Sequence, residues 1–152
     1  MDAAMMASVG KIGGAAALAL GAVGSALGTG AAGMAAVGAW KKCFVQNKMA
    51  PFMLVAFIGA PLSQTIYGMI VKNAIVKAVQ DGAPYPALIG AGVLGGFAIG
   101  MSAWMQGKAG AGASDALAET GKGFGNYLMA IGVIETVALF VMGFIFNVIR
   151  VG

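Results

Sequence analysis

The sequence predicts an all-α membrane protein of four transmembrane helices, arranged as two tandem helical hairpins. Three observations carry that reading. Of 152 residues, 60% are apolar and only 9% are charged, whereas a soluble domain carries about 25% charged residues. The apolar residues fall into four runs that reach the ~20 residues needed to cross a bilayer as a helix, with short polar turns between them. The 26 glycines show no collagen period and suit close contacts between membrane helices.

Nine Lys and Arg against five Asp and Glu give a formal charge of +4, scattered along the chain, which argues against a nucleic-acid partner. Cys43 is the only cysteine, so no intrachain disulfide forms, and the absence of His disfavours the usual transition-metal sites.

The first helix is expected over residues 12–40. Lys11 ahead of the run Ala15 to Ala26 has the outline of a secretory signal, but the run continues to Trp40 and further spans follow. It is therefore read as a retained span. Gly24, Gly28 and Ala32 recur at intervals of four, a surface that lets backbones approach closely. Each Gly costs about 1 kcal/mol of helix propensity relative to Ala, so this helix gives up propensity for proximity and reads as a closely packed inner helix.

Lys41, Lys42 and Lys48 frame a polar loop, and Pro51 is placed in the first turn of the second helix, 51–76. Midway along it stands GAPLSQTIYG, residues 59–68. Pro61 leaves a carbonyl without its helical partner, while Ser63, Gln64 and Tyr67 put polar groups at membrane depth. Ser63 and Tyr67 are four apart and share a face. Two readings are open: a kinked helix whose polar groups satisfy one another, or donors to a site built with a residue from elsewhere.

Asp81-Gly82 and the Pro84/Pro86 pair mark the next connection. The third helix is expected over 87–110, Gly-rich again, with Gln106 and Lys108 toward its end. A polar segment with Asp115, Glu119 and Lys122 holds the turn into the fourth helix, 124–149, with Arg150 capping its end. That last run, NYLMAIGVIETVALFVMGFIFNVI, contains one carboxylate, Glu135, and no Lys, Arg or Asp to pair with it. An ionisable group at that depth is costly and marks an ion pathway or a partner within the bundle. Trp40, Trp104, Tyr85 and Tyr127 near the span ends read as interfacial anchors.

The hairpins divide the chain into residues 1–80 and 81–152. Both termini then lie on one side of the membrane and the loops near Lys42 and Lys122 on the other. Lys41, Lys42, Lys48, Lys108 and Lys122 on the loop side, against Lys11, Lys72, Lys77 and Arg150, set the loops on the cytoplasmic side by a narrow margin.

The two halves resemble each other. Ser25-Ala26, Gly30 and Gly33 in the first helix recur as Ser102-Ala103, Gly107 and Gly110 in the third, which sets Thr29 opposite Gln106. Ile58-Gly59 recurs as Ile131-Gly132, setting Leu62 opposite Glu135, Ser63 opposite Thr136 and Tyr67 opposite Phe140. The pattern is that of a duplicated two-helix unit in which only the second half keeps the central carboxylate.

With these residues in view, almost the whole chain resembles the rotor-ring proteolipid of V-type (V/A-type) rotary ATPases, closest to the sodium-binding members. The family's leucine-proline-small-threonine-glutamine element with its tyrosine-glycine reads here as Ala60, Pro61, Leu62, Ser63, Gln64 and Tyr67-Gly68. Its serine-alanine and glutamine-glycine-lysine are matched by Ser102, Ala103, Gln106, Gly107 and Lys108. The family usually has proline before its glutamate-threonine; here Ile134 precedes Glu135 and Thr136, which predicts a straighter fourth helix.

The resemblance implies a homo-oligomeric ring that carries Na⁺, or alternatively H⁺, between two half-channels at a stator membrane subunit bearing a basic residue. Rotation is passed through a central stalk to ATP hydrolysis or synthesis on a soluble head. The implied ion ligands are Glu135, Gln106, Gln64, Ser63 and the carbonyl of Ala60, supported by Tyr67, Thr136 and Pro61. Such a set of oxygens suits a hard cation. The chain has no G-x-x-x-x-G-K-[ST] nucleotide loop, so it is expected to be a non-catalytic, ion-translocating component in the cell membrane, bordered by lipid. A small cation or drug antiporter and a structural proteolipid are the competing classes.

Overall fold

The computed structural model describes residues 2–150, with no β-strand among them. Five α-helices make four rods. α1 covers Ala3–Val45; α2, Leu54–Gly59, passes through a 3-10 turn at Ala60–Leu62 into α3, Ser63–Gln80; α4 covers Tyr85–Thr120 and α5 Phe124–Arg150. Each rod is long and apolar enough to cross a bilayer, and the chain is a multi-pass integral membrane protein.

The inner pair, α1 and α4, overshoots the expected 12–40 and 87–110. The 43 residues of α1 rise about 65 Å at ~1.5 Å per residue, twice the ~30 Å hydrocarbon thickness. Both overhangs are held. The Asp2 carboxylate accepts the Met5 N–H at 2.7 Å, an N-cap. At the other end Lys42 of α1 pairs with Glu119 of α4 and lies 4.0 Å from Asp115.

Asp115 and Glu119, expected near the turn, therefore stand in the last turns of α4, and Lys108 lies well inside that helix. The remaining turn is short: Gly121 and Gly123 adopt φ of 64° and 89°, a left-handed conformation that Gly takes without steric cost.

The second span also departs from its expected limits. Pro51 lies before α2, in a turn where its carbonyl accepts the Trp40 indole N–H at 2.8 Å. The span continues past residue 76 to Gln80, closed by Lys77 and Asp81 at 2.9 Å, four residues apart, and by Gly82 at φ 83°. The side chain of Arg150, expected as a cap, and residues 151–152 of the second hairpin lie outside the described residues.

Glycine contacts set the arrangement. α1 and α4 run parallel with backbones touching: Gly13 opposes Gly92, Gly24 opposes Gly100, and Gly28 opposes Ala103 and Gly107, so that a Cβ at any of these glycines would overlap the partner's main chain. α3 crosses α1 in the opposite direction, Gly68 against Ala17 and Gly21 against Gln64.

α5 leans on α4 and α3 and leaves Leu128, Met129, Val133, Val137, Phe140 and Phe144 exposed. It runs unbroken past Ile134, as the missing proline predicts. Two apolar clusters result. One, with Ala17, Val71, Ile75, Leu88 and Ile99, lies toward the termini; the other, with Ala36, Leu54, Phe57, Leu117 and Ile131, lies toward the loops. The polar groups of the spans sit between them.

Two substitutions two residues apart separate these roles. A Cβ at Gly28 would meet the Ala103 carbonyl and lie 2.9 Å from Pro61 Cβ, whereas Gly30 has nothing within 4 Å. Thermal unfolding in detergent is expected to show Gly28→Ala destabilised by ~1–3 kcal/mol, and Gly30→Ala unchanged or stabilised by up to ~1 kcal/mol.

Candidate functional site

Pro61 is the origin of the site's local geometry. Lacking an N–H, it cannot continue the α-helical ladder, and the chain tightens into a 3-10 turn whose Ala60 carbonyl takes the Ser63 N–H. Pro61 is buried, with its Cβ against the Gly28 position of α1. The Ser63 hydroxyl lies 3.0 Å from the same Ala60 carbonyl and 3.1 Å from Gln64 Oε1. Its single proton serves one of these acceptors at a time. The turn thus gathers three oxygens, from Ala60, Ser63 and Gln64, at one place in the second span.

Gln64 and Gln106 are both fully buried. Gln64 Nε2 donates to Gln106 Oε1 at 2.9 Å, linking α3 to α4. Gln106 Nε2 in turn faces α5, 3.2 Å from the Ile131 carbonyl and 3.4 Å from Glu135 Oε2. The other carboxylate oxygen, Glu135 Oε1, accepts the Tyr67 hydroxyl at 2.6 Å. A continuous polar chain runs from Ser63 through Gln64 and Gln106 to Glu135 and returns to α3 at Tyr67. Both oxygens of the half-buried carboxyl group are served by side chains of other helices.

One member of this assembly was not assigned a role from sequence. Ser102 donates to the Ile134 carbonyl at 2.9 Å, pinning α5 at the residue before Glu135. The available signal was spacing: Ser102 and Gln106 are four apart and share a face of α4. Thr136 behaves differently from the other expected residues. Its hydroxyl donates to the Val133 carbonyl at 2.7 Å within its own helix and makes no hydrogen bond to the chain around Glu135. Cys43 is buried with Sγ 3.9 Å from the Ala118 carbonyl, far along α1 from this layer.

Chemically the cluster is a set of neutral oxygens and amides around one carboxyl group, with no cation of the protein beside it among the described residues. The same described residues hold no group of three His, Cys, Asp or Glu side chains suited to a transition metal. Amides present oxygen or nitrogen after a half-turn about the last torsion, so Gln64 and Gln106 can exchange donation for acceptance without moving their helices.

Residues 89–147 match a family model that describes the C subunit of ATP synthase. The match takes in nearly all of α4 and α5, including Ser102, Gln106 and Glu135. No curated protein matches the chain.

The coupling of the two amides is measurable. Gln64→Leu and Gln106→Leu each strand a buried polar group, at ~1–3 kcal/mol apiece. The double variant is expected to lose less than the sum by about 1 kcal/mol, read from unfolding midpoints in a double-mutant cycle.

Proposed function

We infer, from the match of residues 89–147 to a family model of the ATP synthase C subunit, that this chain is an ion-carrying rotor component of a V-type rotary ATPase with Na⁺ as its cargo. The observation that supports the cargo most directly is the polar chain joining α3, α4 and α5 at Glu135. Carboxyl groups that exchange only protons need no such company of oxygens. Here Ala60, Ser63, Gln64 and Gln106 offer carbonyl, hydroxyl and amide oxygens around the carboxylate, the donor set a hard cation prefers. Tyr67 holds one carboxylate oxygen, and rotation of the Gln106 amide would release the other to the ion.

In this mechanism Na⁺ reaches the carboxylate from a half-channel at the stator. The Gln106 amide rotates so that its oxygen replaces its nitrogen beside Glu135, the Gln64 amide reverses with it so that its oxygen accepts the Gln106 N–H, and the ion neutralises the carboxylate. A neutral site crosses the lipid-facing part of a revolution at low desolvation cost. An ionised site without Na⁺ resists that passage and is instead drawn to a basic residue of the stator. Ring copies of the chain would place α1 and α4 inside and α2, α3 and α5 outside, with the loops near Lys42 and Lys122 toward the cytoplasmic head and its central stalk. Only one half of the repeat carries the carboxylate, Leu62 standing at the equivalent place. One ion per four helices suits ATP-driven pumping at a low ion-to-ATP ratio.

Transport of H⁺ by the same rotor component is the alternative. The observation that favours it is that Tyr67 and Gln106 already serve both carboxylate oxygens.

The two cargoes differ in a labelling experiment. A carboxyl-reactive carbodiimide is expected to modify Glu135 in the purified protein at neutral pH, and Na⁺ to suppress the reaction while K⁺ does not; modification indifferent to Na⁺ supports the proton reading. Tyr67→Phe is expected to raise the Na⁺ concentration for half-protection about tenfold, the equivalent of one lost hydrogen bond of ~1.4 kcal/mol. Glu135→Gln is expected to abolish transport by the reconstituted complex without preventing assembly.

A further inference from the structure

Ser25 Oγ and Thr29 Oγ1, both on α1, are buried and have no hydrogen-bond partner among the described residues. Ser25 is only 2% exposed, and a buried hydroxyl without a partner keeps the full cost of its lost hydration. The two residues are four apart and share a face of the helix. What that face meets is fixed by its glycines. Gly21, one turn before Ser25, lies against the Gln64 carbonyl, and Gly28, next to Thr29 in sequence, lies against Pro61 Cβ. The hydroxyls therefore meet the Pro61 turn from the α1 side.

The second half of the repeat has these positions served directly. Ser25 and Thr29 correspond there to Ser102 and Gln106. The Ser102 hydroxyl donates to the Ile134 carbonyl at 2.9 Å, and Gln106 Nε2 lies 3.2 Å from the Ile131 carbonyl, so both fasten α4 to the main chain of α5. Thr29 ends two bonds short of a glutamine, a shortfall close to the ~2.8 Å of one O–H···O hydrogen bond. The facing rod also has a carbonyl in need of a donor. Pro61 brings no N–H to the carbonyl of Phe57, four residues back, and a helical carbonyl points along the axis toward the residue four ahead, here Pro61. The Phe57 oxygen lies at the junction of α1 and α4: it is 3.0 Å from the Cβ position of Gly110, and that position is 3.3 Å from Ala32 Cβ. Ala32 follows Thr29 by three residues on the same face of α1.

We propose that a water molecule is bound between α1 and the Pro61 turn, accepting the protons of the Ser25 and Thr29 hydroxyls and donating to the Phe57 carbonyl. About three such partners are what a buried water has, and hydroxyls on successive turns, with Cβ atoms ~5–6 Å apart, stand at a separation that one water spans. The site carries no charge, since Leu62 stands at the place equivalent to Glu135; it suits a small neutral molecule and not a cation. The consequence for transport rests on the reading of Glu135 and its neighbours as a Na⁺ site. The water ties to α1 the same turn that supplies the Ala60 and Ser63 oxygens, which makes Ser25 and Thr29 positioning residues for that site.

The test uses the assembled protein and two variants. A high-resolution structure of the unaltered protein is expected to show isolated density within ~2.6–3.2 Å of both hydroxyls. Thr29→Val keeps the shape of the side chain and removes its hydroxyl. It is expected to lower the unfolding midpoint by a few degrees and to raise several-fold the Na⁺ concentration that half-protects Glu135 from the carbodiimide. Thr29→Gln carries an amide long enough to reach the turn directly, as Gln106 reaches Ile131. It is expected to displace the density and to restore both values.

Hydroxyls turned back onto the Gly21 and Ser25 carbonyls of their own helix, with no density between α1 and the turn, overturn the proposal. So does a Thr29→Val midpoint equal to or above that of the unaltered protein, because removing an unserved buried hydroxyl relieves a cost. An unshifted half-protection in Thr29→Val, where Na⁺ does protect the unaltered protein, overturns the positioning role. If Na⁺ protects Glu135 in neither protein, it is the cargo reading that fails, and the density and the unfolding midpoints still decide the water.

Discussion

A carboxyl group at the middle of a membrane must have its oxygens satisfied by protein, because hydrocarbon offers no water to do so. Glu135 meets that requirement with side chains from two other helices, Tyr67 and Gln106, and much of the architecture serves to bring them within reach. Tyr67 and Gln64 stand on α3, Gln106 on α4 and Glu135 on α5. The layer is therefore sensitive to helix register: a shift of one residue turns a side chain by about 100° and moves it by ~1.5 Å, enough to break hydrogen bonds of 2.6–3.4 Å.

Register is held by the glycine contacts. α1 is not part of the polar chain, yet it fixes both helices that carry the amides: Gly21 touches the Gln64 main chain, and Gly28 fits between Pro61 and the Ala103–Gly107 stretch of α4. Main-chain contact leaves little freedom for sliding, since no flexible side chain lies between the helices. Ser102 then fastens α5 to α4 by the Ile134 carbonyl. With Ile134 in place of a proline, α5 keeps its unbroken helix and this external bond positions Glu135. Scaffold and amides divide the work: the helices hold the register, and the side chains of Gln64 and Gln106 link α3, α4 and α5.

The four spans and the polar residues that hydrogen-bond around Glu135 were legible in the sequence because each leaves a local mark. A membrane helix is a run of apolar residues, and a polar side chain inside it is conspicuous. Pro61 and the small residues of α1 likewise foretold the interruption and the close packing. The helix ends were less legible: the last turns of α4 bury Ala113 and Leu117 in the loop-side cluster and set Glu119 beside Lys42, more than seventy residues earlier, tertiary contacts with no local sign. The same holds for Ser102, whose acceptor is a carbonyl and so has no side-chain signature. Thr136 showed the converse limit: it stands beside Glu135 in sequence, but a step of about 100° around the helix sends its hydroxyl to Val133 instead.

The central claim is that the amides of Gln64 and Gln106 serve a cation at Glu135 and not merely the carboxylate. A high-resolution structure of the assembled protein prepared in Na⁺, beside one prepared at the same pH in K⁺, addresses it most directly. The account predicts Na⁺-dependent density bounded by the Glu135 carboxylate, the oxygens of Gln106 and Gln64, the Ser63 hydroxyl and the Ala60 carbonyl, with the Gln106 amide reversed. Identical side chains in both salts, with Gln106 nitrogen still on Glu135 and no added density, would contradict it.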